Sequence, residues 1–296
     1  MGLDFCSGKV EATTERGKRI ILDDVRFFVE SGHTLALVGE TGSGKTMTAL
    51  AIMDLLPENI KANDMEISLD GQVLKNQRKV LGIDIVYIPQ SGSDYLHPKK
   101  TVESQMRDAL RRVKCTGNEA KTRIYELLSA VGFDSPEKIA KSYAFTLSGG
   151  MAQRVTLAMA LCTNPKLVIC DEATNGLDYS AKIEFVSSAR SLFKTQVIVV
   201  ITHDMAVASC CDEIAVLCGG KLVEYGKSSS VLNEPKHPYT KALLKSTVEN
   251  GMQKSLELRT KEGECPFFAR CEYASDECLN IVSEQTDGDR RWRCAK

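Results

Sequence analysis

Short apolar runs alternate along this chain with longer stretches of helical periodicity, and the short runs end on glycine or polar residues. Thr34–Val38 reads as a strand ending in a glycine-rich loop. Residues 83–88 read as a second strand, stopped by Pro89. Residues 167–170 and 197–201 read as a third and fourth, ending in Asp171-Glu172 and Thr202-His203. Residues 214–217 and 222–225 flank Cys218-Gly219-Gly220 and read as a hairpin. Continuous apolar strands with polar residues at their carboxyl ends predict a buried parallel sheet in an α/β fold. Ligands of such sheets sit at those carboxyl ends.

Between Gln90 and Leu147 the pattern becomes helical and polar, with amphipathic helices expected over residues 102–113 and 119–131. Gly132 and Asp134-Ser135-Pro136 break the run, which reads as a helical insertion at about residues 91–160. After Gly226 the character changes: Pro235, Pro238, a charged helix, then a cysteine-rich tail. A boundary is expected there, giving a main domain over residues 1–235 and an extension over 236–296.

Residues 39–46, Gly39-Glu40-Thr41-Gly42-Ser43-Gly44-Lys45-Thr46, fit G-x-x-x-x-G-K-[ST] directly after a strand, and Met47 opens a helix. Glycines let backbone N–H groups converge on phosphate oxygens, and a helix N-terminus adds partial positive charge. Lys45 is expected to reach the β- and γ-phosphates, and Thr46 to ligate Mg²⁺. Asp171, at a strand end, suits the Mg²⁺ shell, and Glu172 suits polarising the attacking water as general base. His203 can contact the γ-phosphate and hold that water in line. Gln90 can sense the γ-phosphate or Mg²⁺. Ser148, Gly149 and Gly150 cap an apolar helix and form a second phosphate-binding element without a lysine. One chain does not need two such elements; a head-to-tail dimer does.

Composition bounds these readings. Net charge is −1, which gives no argument for nucleic acid. No apolar run approaches the ~18–20 residues of a membrane span, and residues 1–10 lack the basic region of a signal peptide, so a cytoplasmic chain is expected. Eleven cysteines are many for a reducing compartment. Seven are scattered and read mostly as small core hydrophobes. Cys265, Cys271, Cys278 and Cys294 crowd into the last 32 residues with C-x5-C, C-x6-C and C-x15-C spacing. Four thiolates suit zinc or an iron–sulfur cluster, or they remain reduced thiols.

The ordered set formed by residues 39–46, Gln90, Leu147-Ser148-Gly149-Gly150, residues 167–172, Leu177-Asp178 and His203 resembles the ATP-binding cassette ATPases over roughly residues 20–226. The resemblance implies a P-loop NTPase with a RecA-like parallel core, an antiparallel β subdomain and a helical insertion. It also implies an ATP-hydrolysing transport subunit, peripheral on the cytoplasmic face of the membrane. Expected partners are a second ATPase subunit, same or homologous, in a head-to-tail dimer, two membrane permease subunits and an extracytoplasmic substrate-binding protein. Residues 39–47, Ser148, Gly149, Gly150 and Asp178 would contact nucleotide, and Thr46, Gln90 and Asp171 would serve Mg²⁺.

Leu96-His97-Pro98, residues 145–154 from Phe145 to Arg154 and residues 237–244 from His237 to Leu244 are similar to the peptide and nickel importers within that family, and the cysteine tail is similar to that of the oligopeptide and dipeptide ATPases. This resemblance favours an iron–sulfur cluster on the tail, and peptides or a nickel–metallophore as cargo. A soluble cassette ATPase and a non-hydrolytic nucleotide-dependent regulator are the competing readings. Three positions depart from the family: residues 10–19 hold no aromatic to stack on adenine, leaving Phe5 as the nearby candidate, Ala173 stands where proline is usual, and Thr174-Asn175-Gly176-Leu177 is a variant dimer-contact loop.

Overall fold

The computed structural model describes residues 1–15, 17–90, 92–245, 264–280 and 282–295. The chain forms two compact units, one of Met1–Gln77 with Val200–Lys296, the other of Arg78–Val199.

The first unit is built on β structure. Thr34–Val38 is buried at every position, as its unbroken apolar run predicts for a strand covered on both faces. It pairs in parallel with Glu213–Cys218, which pairs antiparallel with Lys221–Lys227 across Gly219-Gly220. The hairpin expected from the sequence is therefore present. Two further strands, Arg290–Trp292 and Gln285–Asp287, extend this arrangement from the C-terminal region. Gly2–Cys6 sits between Arg26–Glu30 and Glu66–Leu69 in an antiparallel sheet, and Lys9–Thr14 between Gly17–Asp23 and Ile60–Asn63 in another. Phe5 and Phe27 meet in the core of the first of these sheets with ring centroids 5.2 Å apart.

The second unit pairs Ile85–Ile88 in parallel with Leu167–Asp171. The expected strand over 83–88 begins two residues late because residues 80–85 form a turn, with the amides of Asp84 and Ile85 donating to the Val80 carbonyl. Val102–Arg112, Gly117–Ala130 and Pro136–Lys141 form the helical insertion. Their buried faces carry Met106, Leu110, Ile124, Leu128 and Ile139 at helical spacing. Thr101 caps the first of them, its hydroxyl accepting from the Ser104 amide at 3.2 Å. Val197–Thr202, buried throughout, carries the chain from this unit back into the first.

Among the described residues no helix is long and apolar enough to cross a membrane. Much of the charged stretch expected before the cysteine tail lies outside the described residues.

Candidate nucleotide-binding site

The strand Thr34–Val38 delivers residues 39–46 into the helix Lys45–Ile52. Two glycines make that turn possible. A Cβ on Gly39 would stand 2.2 Å from the Leu217 carbonyl oxygen, and Gly44 holds φ 109°, where a Cβ would meet Leu22 at 2.7 Å. Gly44 caps the helix without a side-chain hydrogen bond, so the loop's backbone amides supply the N-terminal donors. Lys45 is buried and curls over the loop, its Nζ donating to the carbonyls of Gly39 at 2.7 Å and Glu40 at 2.9 Å. Ser43 is also buried, and Thr46 is exposed at the mouth. His203, in the same unit, is exposed directly after Val197–Thr202.

The other candidates belong to the second unit. Asp171 ends its strand buried, and its carboxylate accepts from the Tyr87 hydroxyl at 2.9 Å. Burial and that neighbouring carboxylate push the Tyr87 hydroxyl well above its ordinary pKa, so it stays a donor. Glu172 is half-buried and takes a left-handed backbone, φ 48°. Asn175 folds back on it: its amide side chain donates to a Glu172 carboxylate oxygen at 2.5 Å, and its backbone N–H donates to the Glu172 carbonyl at 2.9 Å. Gln90 is exposed just beyond Ile85–Ile88.

Ser148, Gly149 and Gly150 are exposed, and the Ser148 hydroxyl accepts from the Met151 amide at 3.3 Å to cap Gly149–Leu161. Nothing lies within 4 Å of where a Cβ would sit on either glycine, so this end of the helix is uncrowded. Asp178 caps Tyr179–Leu192 by accepting from the Ala181 amide at 2.9 Å; that bond and one from Ser180 hold its carboxyl below the ordinary range.

Sequence reasoning missed four neighbours: Tyr87 and Asn175 on the two carboxylates, and Tyr239 and Arg270 on the phosphate loop. Asn175 was legible as a departure in the contact loop but not as a partner of Glu172. Phe5, the sequence candidate for adenine stacking, is fully buried and packed on Phe27, so its ring is not available to a nucleotide.

The four tail cysteines line one cavity together with His237 and Pro238. Burial and the neighbouring thiols push the Cys265 thiol up to about 11. Among the described residues no group of three or more His, Cys, Asp or Glu is arranged to hold a metal ion. The donor set is right in kind and number for a four-thiolate centre, while the arrangement is not that of a ligated one. Of the scattered cysteines, Cys162, Cys170, Cys211 and Cys218 are buried and Cys6, Cys115 and Cys210 half-buried, in keeping with packing roles.

A loop of this geometry after a buried parallel strand, with a strand ending in two carboxylates, defines a P-loop NTPase. The profile described as "ABC transporter" matches residues 22–175, and that described as "Oligopeptide/dipeptide transporter, C-terminal region" matches residues 223–278. The dipeptide transport ATP-binding protein DppD of Haemophilus influenzae is 36% identical over 293 residues, covering 92% of this chain and 88% of the relative. The oligopeptide transport ATP-binding protein OppD of Bacillus subtilis is 39% identical, covering 78% and 68%. The ATP-binding cassette MJ0796, solved as a dimer in a post-hydrolysis state with ADP and Pi, superposes with a TM-score of 0.66 at 24% identity, covering 76% of this chain and 98% of that one. The chain belongs to the ABC transporter family. It is a nucleotide-binding, ATP-hydrolysing subunit of that family.

Proposed function

We propose that this chain drives peptide uptake through a separate permease, with the site residues in the following roles. Lys45 and the amides of residues 39–47 hold the β- and γ-phosphates. Thr46, Gln90 and Asp171 would hold Mg²⁺, Asp171 through water, and the ion when bound would supply neutralisation of the phosphate charge. Glu172 accepts a proton from the attacking water, and His203 keeps that water in line with the γ-phosphate. The observation that carries this reading is the glycine loop itself, turned by Gly39 and Gly44 where no Cβ fits, with Lys45 folded over it at the start of a helix whose N-terminal amides suit a polyphosphate.

Ser148, Gly149, Gly150 and Asp178 act on a second nucleotide, held by a partner ATPase in a head-to-tail dimer. Their exposure supports this, since an interface element must be open in the single chain. Two permease subunits and an extracytoplasmic binding protein complete the machine, with this chain on the cytoplasmic face. The names of the relatives and the C-terminal match favour peptides over a nickel–metallophore. The likeness of the tail to the peptide-importer ATPases supports an iron–sulfur cluster on Cys265, Cys271, Cys278 and Cys294, whose thiols line one cavity and would have to draw together to ligate it; anaerobic purification with iron and sulfide assays tests this, and a colourless, iron-free protein would refute it.

The test of the chemistry is Glu172→Gln. ATP binding should persist while hydrolysis falls by about 10²–10⁴, the range for a lost general base. Unchanged turnover would remove Glu172 from the role. Uptake of labelled peptide by the complex purified with its permease tests the cargo.

A further inference from the structure

Glu40, the second residue of the phosphate loop, is fixed at all three of its polar groups. Its carbonyl accepts from Lys45 Nζ at 2.9 Å. Its backbone N–H donates to the hydroxyl of Tyr239 at 2.8 Å. Its carboxylate accepts two bonds from Arg270, Nη1 to Oε1 at 3.0 Å and Nη2 to Oε2 at 2.9 Å. Both outside partners come from the C-terminal region, about 200 residues or more along the chain.

Those partners are themselves held. Tyr239 is fully buried, in the helix Pro238–Lys245, and burial keeps its hydroxyl protonated well beyond the ordinary range. Phe267 meets the Tyr239 ring edge-on at 5.4 Å, and the Arg270 guanidinium lies 5.1 Å over the Phe267 ring. A forked, partly buried pair of this kind fixes direction as well as distance, which a lysine cannot do.

The geometry points to the C-terminal extension as a positioning element of the phosphate loop: Arg270 and Tyr239 hold Glu40, and through it hold the loop and Lys45 in the shape that takes the nucleotide's phosphates. This rests on reading residues 39–46 as the ATP site. The Glu40 carbonyl is a direct partner of Lys45, so rotation of the Glu40 peptide would displace both the lysine and the amides that follow.

The test is the dissociation constant of ATP-Mg²⁺ for the full chain in a Glu172→Gln background, with thermal unfolding measured in parallel. Arg270→Ala should weaken ATP about ten-fold, the loss of a charge-assisted bond to the loop. Tyr239→Phe, which keeps the ring volume, should weaken it about three-fold, at the low end for one hydrogen bond. Arg270→Lys should fall between Arg270→Ala and the parent. Glu40→Gln combined with Arg270→Ala should lose no more than the worse single variant, because both act through one contact. Lys45→Ala should abolish binding, and retention there would instead overturn the site reading. If Lys45→Ala abolishes binding while Arg270→Lys and Tyr239→Phe fold and bind ATP within two-fold of the parent, the positioning role is overturned. Should Arg270→Ala fail to fold, those two conservative variants decide.

Discussion

Glu172 sits in a backbone conformation that a residue with a Cβ rarely adopts, φ 48°. Such a residue stores about 1–3 kcal/mol and persists only where its surroundings over-determine it. Asn175 is that surrounding, holding both the carbonyl and the carboxylate of Glu172. The side-chain bond orients the carboxylate, as the general-base role proposed for Glu172 requires. Asn175→Ala should therefore lower kcat about ten-fold, the effect of one hydrogen bond to a charged group, with ATP affinity unchanged. Single-turnover hydrolysis alongside equilibrium ATP binding separates the two quantities. A rise in KM with kcat intact would assign Asn175 to nucleotide binding instead.

At the scale of elements, the C-terminal strands are tied to the sheet by a buried ion pair. Glu224, in Lys221–Lys227, is almost fully buried; it accepts from Arg290 at 2.6 Å and from the amides of Lys236 and His237 at 2.9 and 3.0 Å. Removing the arginine leaves a buried carboxylate with only neutral donors. Arg290→Ala should cost about 3 kcal/mol, the lower end for breaking such a pair, read as a lower denaturant midpoint. Arg290→Ala with Glu224→Gln should cost less than the single change, since no charge is then stranded. None of this was visible in the sequence, which singles out neither Glu224 nor Arg290, 66 positions apart. Nor does the sequence show Arg270 as the partner of Glu40, 230 positions away. What could be read was local. Thr34–Val38 matches its expected bounds because five consecutive apolar or β-branched residues meet a glycine. The 167–170 and 197–201 strands each run one polar residue further than expected, to Asp171 and Thr202. Arg26–Glu30 alternates in burial and so lacks the continuous run that marked the parallel core.

For the molecule as a whole, the consequential feature is that it carries both a phosphate loop and an exposed second phosphate-binding element. A net charge of −1 leaves no broad repulsion between two copies. In the proposed head-to-tail dimer, ATP would be the term that decides association: each bound polyphosphate would gain donors from Ser148, Gly149 and Gly150 of the facing chain, and hydrolysis would remove them. With hydrolysis blocked, the associated state should accumulate. Glu172→Gln with ATP-Mg²⁺ should shift from 32.5 kDa to roughly twice that mass in light scattering. ADP should leave it at the lower value. Ser148→Arg puts bulk and charge where a partner's nucleotide would sit, at a position whose side chain is exposed in the single chain. It should bind ATP at its own loop within about two-fold, since that loop lies elsewhere in the sequence, yet stay monomeric. A Glu172→Gln protein that binds ATP and remains at 32.5 kDa would show that a second copy of this chain does not close the site. The facing element would then have to come from a different ATPase, and mixing with that subunit should restore the doubled mass.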